Sequence, residues 1–188
     1  MFGAHAWAAT WSPGGSGTTV AGIRHFERVD VGLWQGSAPG DTGYRALAAM
    51  GVHTVVDLRA EHLSGADLAQ PSQAGLQAVR LPIRDGQTPT TTQVDALQRI
   101  VATSQGPVFV HCGAGVGRTG AMTAAYLVRT GEVGRAQATL RTLAVGPPSV
   151  EQVYFVLTAD HDSAKQPPFA VRLTSRVLDA PRRALASL

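Results

Sequence analysis

At 188 residues, 44% of them hydrophobic and 15% charged, the chain is long enough for one domain with a real core. Sixteen Lys and Arg against thirteen Asp and Glu leave a formal charge of only +3, scattered and without a basic run, so no nucleic-acid partner is expected. No apolar run approaches the roughly 20 residues of a membrane span, and the single cysteine, Cys112, excludes an intramolecular disulfide and a zinc site built from several thiolates.

A lone cysteine agrees with a reducing compartment, and a cytoplasmic location is expected. The N-terminus lacks a basic stretch followed by an apolar core, so no signal peptide is expected, and no membrane association either. Lys165 is the sole lysine; the arginine bias, alongside much Ala and Gly, fits GC-rich coding.

In chain order, residues 1–20 are rich in Ala, Gly, Ser and Thr and predict a flexible arm, with Trp7 and Trp11 as packing residues. A strand follows at His25–Val29 and another at Leu33–Gln35. Asp41 or Thr42 is placed to cap a helix through Tyr44–Met50, which Gly51 ends. Val52–Leu58 is β-branched and apolar, a buried strand. Residues 60–75 predict a polar connection with one helical turn. Leu76–Ile83 alternates as a strand, and Arg84–Pro89 is a turn-rich loop. Thr90–Thr92 caps a helix whose Val94, Leu97, Ile100 and Val101 share a face, and Gly106-Pro107 ends it.

Pro107–Val110 is a short strand, and the helix after Arg118 stops at Gly131. Ala136–Val145 is helical by pattern, Ser149 caps a helix over 150–157, and Pro167-Pro168 breaks the chain. The last twenty residues predict one or two short helices, whose Arg172, Arg176, Arg182 and Arg183 form a solvated face by default, with contact to a partner or a membrane surface as the alternative. Asp160-His161-Asp162 is a solvated helix end, since three adjacent residues do not converge on one ion. Strands alternating with helices, then helices alone, predict a three-layer α/β fold: a central mixed sheet of about four to five strands flanked by helices. The predicted division is an arm over 1–20, a domain over 21–165 and a helical extension over 166–188.

The chemistry concentrates in His111-Cys112-Gly113-Ala114-Gly115-Val116-Gly117-Arg118-Thr119-Gly120. Glycines at 113, 115 and 117 let backbone N–H groups turn inward, and such a nest feeding a helix N-terminus binds a tetrahedral dianion. The same field favours a thiolate on Cys112. The Arg118 fork is suited to two phosphate oxygens. Thr119 can donate to the Cys112 sulfur and ease its departure, while His111 orients the loop rather than acting as a base. This assembly suits cleavage of a phosphate ester through a phosphocysteine. With no resolving thiol, an oxidised Cys112 has no internal disulfide to fall back on.

These ten residues resemble the signature of cysteine-dependent protein tyrosine and dual-specificity phosphatases, His-Cys-x5-Arg-Thr/Ser-Gly. The resemblance implies a dual-specificity-phosphatase-like fold and a general acid on an upstream loop, often Pro-x-x-Asp-x-x-x-Pro. Pro82-Ile83-Arg84-Asp85-Gly86-Gln87-Thr88-Pro89 has that spacing and assigns the acid to Asp85, which would then serve as base for the hydrolytic water. Val55–Arg59 is similar to the family's strand ending Asp-Leu-Arg, with Asp57 and Arg59 as structural partners. Trp34–Pro39 resembles an early family element more loosely. Ser149–Gln152 resembles a segment with a water-positioning glutamine, so Gln152 is either that residue or a solvated helix residue. By order of elements the resemblance covers about residues 25–160.

Gly115-Val116-Gly117-Arg118-Thr119-Gly120 also matches the dinucleotide fingerprint Gly-x-Gly-x-x-Gly. That unit needs a second strand ending in an acid about 20 positions on, whereas Gln137–Leu143 is helical and basic. A Walker loop fails because Cys112 takes its first glycine and Arg118 its lysine. A sulfurtransferase loop leaves Asp85 and Arg118-Thr119 unexplained.

The phosphate would lie over Gly113, Ala114, Gly115, Val116, Gly117 and Arg118. That floor is small and neutral and lacks the lysines that members of the resembled family acting on inositol phospholipids often carry there, so the resemblance implies phosphotyrosine or mixed phosphoprotein substrates over lipid headgroups. Soluble phosphorylated metabolites, phosphoinositides and a non-catalytic phosphate-recognition module are the alternatives. No cofactor and no metal are expected, because Arg118, backbone amides and a helix dipole carry the charge.

Overall fold

The computed structural model describes residues 18–146, 148–160 and 165–186. Among these, the chain runs β1 (Thr18–Val20), β2 (Ile23–Arg28), β3 (Leu33–Gly36), α1 (Asp41–Ala49), β4 (Thr54–Arg59), α2 (Gly65–Gln73), β5 (Gln77–Ile83), α3 (Thr91–Thr103), β6 (Val108–His111), α4 (Gly117–Arg129), α5 (Arg135–Val145), α6 (Val150–Thr158) and α7 (Phe169–Ala186). Of the expected arm, only residues 18–20 fall within this set; Trp7, Trp11, His161 and Asp162 lie outside the described residues.

The strands form one mixed sheet in the order β1-β2-β3-β6-β4-β5. The outer pairs β1/β2 and β2/β3 are antiparallel, and β3, β6, β4 and β5 run parallel. Six strands exceed the expected four to five. The extra one is β1, folded back on β2 by Ala21 and Gly22 at φ 48° and 82°. Positive φ at both central residues is what a tight two-residue hairpin needs, and an Ala-Gly pair is a weak sequence signal for it.

Burial of β6 on both faces sets the architecture, since all four of its residues are buried. Val108 and Val110 enter a cluster with Val94, Leu97, Met122, Leu127 and Phe155 from α3, α4 and α6. Phe109 enters the opposite cluster with Tyr44 and Leu47 of α1, and with Val52 and Leu76. A two-residue side-chain period dictates this alternation. Carried forward, it puts His111 on the α1 face, its ring 6.3 Å from that of Tyr44, and Cys112 in the cluster on the α3–α6 face. The site loop leaves the sheet at the C-terminal ends of the parallel strands, where open α/β sheets bind ligands.

Several helix boundaries differ from the sequence reading. The connection over 60–75 holds the nine-residue α2 rather than one turn. A Ser64–Asp67 capping box starts it despite Gly65 and the internal Pro71. The N-cap of α1 is Gly40, with Asp41 as first helical residue beside the positive helix end. Thr90 caps α3 through a box with Gln93, and that helix stops at Thr103, before Gly106-Pro107. The C-terminal stretch is one 18-residue helix rather than two short ones.

Candidate active site

Packing, more than loop flexibility, explains two of the three glycines between Cys112 and Arg118. Gly115 has φ +77°, and a Cβ there would lie 2.4 Å from Gly36 C and Ser37 N. The loop is pressed onto the end of β3, and Gly113 O accepts from Ala38 N at 3.0 Å. A Cβ on Gly117, the first residue of α4, would lie 2.7 Å from Gln152 Oε1. At Gly113 the nearest atom is Arg118 Nη2 at 3.9 Å, so the guanidinium returns over the start of the loop that precedes it. Cys112 is 3% exposed and is a free thiol.

His111 is fully buried. Its Nδ1 lies 3.1 Å from Cys112 O and 4.0 Å from Asp57 Oδ1. Burial pushes the imidazole pKa down to about 4, against the pull of Asp57, so the ring is neutral at pH 7. A neutral ring with Nδ1 protonated donates to the Cys112 carbonyl and fixes the peptide that carries the thiol. Asp57 in turn grips Arg59, from Nε at 3.0 Å and Nη2 at 2.8 Å. Burial alone would raise the Asp57 pKa, but the Arg59 hydrogen bonds outweigh it and hold the carboxyl below its ordinary range.

Arg118 is 5% exposed, and its guanidinium is largely committed. Glu61 takes the end-on edge, accepting from Nη1 at 2.8 Å and Nη2 at 2.7 Å. Nη1 also donates to Ile83 O at 3.0 Å. Nε is buried, with no hydrogen-bond partner among the described residues. Nη2 lies 3.4 Å from Asp85 Oδ1. Burial works against the charged guanidinium, yet Glu61, Cys112 and Asp85 outweigh it and keep the group protonated. Its hydrogen bonds likewise hold the Glu61 carboxyl below its ordinary range. Glu61 is absent from the sequence reading. Its only signal was an acid two residues beyond Arg59, and a pairing across 57 residues leaves no local pattern.

Asp85 is 69% exposed by side chain, on the loop that follows β5. That loop turns on Gly86 at φ +75°, and distant elements anchor it. Ser149 Oγ donates to Gly86 O at 2.8 Å and Gln152 Nε2 to Gln87 O at 3.2 Å. Gln166 accepts from Thr88 Oγ1 at 3.3 Å and donates to Pro89 O at 2.9 Å. Ser149 thus caps α6 and ties the acid loop with one hydroxyl. Gln152 is buried at 2% exposure, not solvated. Its Oε1 accepts from Ser149 N at 2.8 Å, so the amide bridges α6 and the acid loop beside Gly117. Thr119 is fully buried on the first turn of α4, and its hydroxyl has no hydrogen-bond partner among the described residues.

The structure therefore brings Cys112, Arg118 and Asp85 together with Glu61, and puts Thr119, His111 and Gln152 around them. Among the described residues, no group of three or more His, Cys, Asp or Glu side chains is arranged to hold a metal ion.

A family model described as "Polymorphic toxin system, DSP-PTPase phosphatase" matches residues 29–132. The chain is 32% identical over 125 residues to NAD kinase 2, chloroplastic, of Arabidopsis thaliana, covering 63% of this chain and 12% of that protein. It is 35% identical over 78 residues to tyrosine-protein phosphatase cdc-14 of Caenorhabditis elegans, covering 42% of this chain and 11% of the relative. The chain thus spans only about an eighth of the length of these curated relatives. Among solved structures, P. aeruginosa TpbA superposes with a TM-score of 0.64 at 22% identity, over 87% of this chain and 98% of that one, a likeness of fold.

Proposed function

Because the chain belongs to the DSP-PTPase phosphatase family of polymorphic toxin systems, we propose that it hydrolyses phosphate monoesters through a phosphocysteine on Cys112. The observation that carries this reading is the position of Arg118. Its Nη2 lies 3.4 Å from Asp85 Oδ1 and 3.9 Å from where a Gly113 Cβ would stand, so clamp, acid and nucleophile loop meet at one point.

In the first step Cys112 Sγ attacks phosphorus, the bond from phosphorus to the leaving oxygen breaks, and Asp85 gives that oxygen its proton. In the second step water attacks phosphorus, the P–S bond breaks, and the Asp85 carboxylate takes the water's proton. The buried Thr119 hydroxyl, without another partner among the described residues, donates to the departing sulfur. Glu61 takes one N–H from each of Nη1 and Nη2 and Ile83 O accepts from Nη1, so the Nε N–H and the second Nη2 N–H, beside Asp85, are the pair to hold two phosphate oxygens. Glu61 is then a positioning residue: it holds the guanidinium at one angle, with the Nε–Nη2 edge turned toward Asp85. Arg118, the loop amides and the α4 N-terminus carry the transition-state charge, so no metal is required.

The neutral floor over 113–117 favours phosphotyrosine or mixed phosphoprotein substrates over highly charged ones, with soluble phosphorylated metabolites and phosphoinositides as alternatives. A cytoplasmic setting belongs to the same reading. Hydrolysis of an aryl phosphate tests the core of it. Wild type turns over with EDTA present, Cys112→Ser abolishes activity, and Asp85→Asn lowers kcat by about 10²- to 10⁴-fold. Turnover no higher than that of the Ser variant would leave a phosphate-recognition module. A side-by-side panel of phosphopeptides, phosphoinositides and metabolites then ranks the substrates.

A further inference from the structure

Charge and apolar surface are distributed unusually at the C-terminal end of the chain. Four of the sixteen Lys and Arg and one of the thirteen Asp and Glu fall in α7. That helix alone therefore carries +3, and the rest of the chain is balanced at twelve of each sign. The net charge of the molecule resides in one helix.

The same helix faces its large apolar side chains outward. Phe169, Leu173 and Val177 are 70%, 52% and 66% exposed, and they recur every fourth residue along one stripe. Arg172 and Arg176 are exposed three residues after Phe169 and Leu173, forming a cationic rail beside that stripe. The side turned to the protein carries the small Ser175, which is fully buried and accepts from Glu151 N of α6. An ordinary surface helix buries its apolar stripe against the core and exposes its charges. Here the apolar stripe and the arginines share the solvent face.

Sequence puts these arginines on a solvated face by default, with a partner or membrane surface as the alternative. The exposure of Phe169, Leu173 and Val177 favours the alternative. We propose that α7 docks the protein on an anionic lipid surface, with the apolar stripe in the headgroup–acyl boundary and Arg172 and Arg176 on lipid phosphates and carboxylates. A cationic helix with an apolar stripe and low mean hydropathy lies in such an interface without crossing it. Consistently, no helix of the described residues is long and apolar enough to span a membrane. The balanced charge elsewhere means that attraction to an anionic surface orients the molecule through α7. The helix begins three residues after Gln166, which holds Thr88 and Pro89 of the acid loop. Docking therefore brings the start of α7, and the acid loop that Gln166 ties beside it, near the lipid surface.

The test is co-sedimentation of the full chain with vesicles of phosphatidylcholine, with and without phosphatidylserine, at low and raised salt. Wild type partitions at least about tenfold more onto the anionic vesicles, and raised salt weakens this. Arg172→Glu with Arg176→Glu, and separately Leu173→Ser with Val177→Ser, lose the binding while hydrolysing a soluble aryl phosphate like wild type. That control, with circular dichroism, separates lost docking from lost folding, and the vesicle assay is independent of the proposed catalysis. Equal partition of wild type and both variants overturns the proposal. So does a self-associated particle in light scattering without lipid that Leu173→Ser with Val177→Ser dissociates, because the stripe would then be covered by a second copy.

Discussion

At the scale of single residues, space decides which glycines of the loop are indispensable. Gly115→Ala would drive a Cβ to within 2.4 Å of Gly36 and Ser37 backbone at a left-handed φ. Neither neighbour is a side chain that can swing away, so the cost is about 2–4 kcal/mol. Gly113→Ala meets only a guanidinium nitrogen at 3.9 Å and changes stability by no more than about 0.5 kcal/mol. Urea melts of the two variants separate a packing requirement from a general need for glycine; equal melts contradict the packing account. Glu61 offers a second contrast. If it positions Arg118, Glu61→Gln raises KM for an aryl phosphate and lowers kcat/KM roughly tenfold. A lower KM would mean instead that the carboxylate competes with phosphate for the guanidinium.

At the scale of elements, the N-terminus of α6 reaches furthest into the site. Ser149 accepts from Gln152 N and donates to Gly86 O, so one hydroxyl caps a helix and restrains the acid loop. Ser149→Ala is expected to cost about 1 kcal/mol of stability. It should also lower kcat more than it raises KM, because Asp85 then samples more positions while Arg118 keeps its partners. Steady-state kinetics beside thermal melting checks this; an unchanged kcat would confine Ser149 to capping. The Ser149 cap and the Thr90 cap are visible in sequence because a capping box spans only four residues. The bonds from α6 to the acid loop are not, since Ser149 and Gly86 stand 63 residues apart.

At the scale of the whole molecule, acid sensitivity follows from the buried His111. Its folded pKa of about 4 lies below the ordinary 6.5. Above 6.5 the ring is neutral in both states, and its contribution to stability is complete. As pH falls from 6.5 toward 4, the unfolded chain binds a proton that the folded chain excludes, and about 3 kcal/mol is lost across that window. Melting temperature therefore declines through this range, and the decline is shallower in His111→Asn. A slope unchanged by that substitution would assign the acid sensitivity to other groups. Asp57 and Glu61 act lower: their carboxyls sit below the ordinary range, so their contribution is lost only as pH falls through those depressed values.

The sequence by itself determined the strand–loop–helix around Cys112, the spacing of Asp85 between Pro82 and Pro89, and most of the helices and strands. These are local signals: a two- or four-residue period, a cap, a glycine, a motif within ten positions. Only the tertiary structure decided the rest. Hairpin closure through Ala21-Gly22 added a sixth strand, and the Ser64 box starts a nine-residue helix where one turn was expected. Glu61 fills one edge of the Arg118 fork, Gln152 is buried rather than solvated, and the net charge stands beside an exposed apolar stripe on α7. Each depends on which distant side chains the sheet and its two helical layers bring within a few ångströms, and a local pattern carries no record of that.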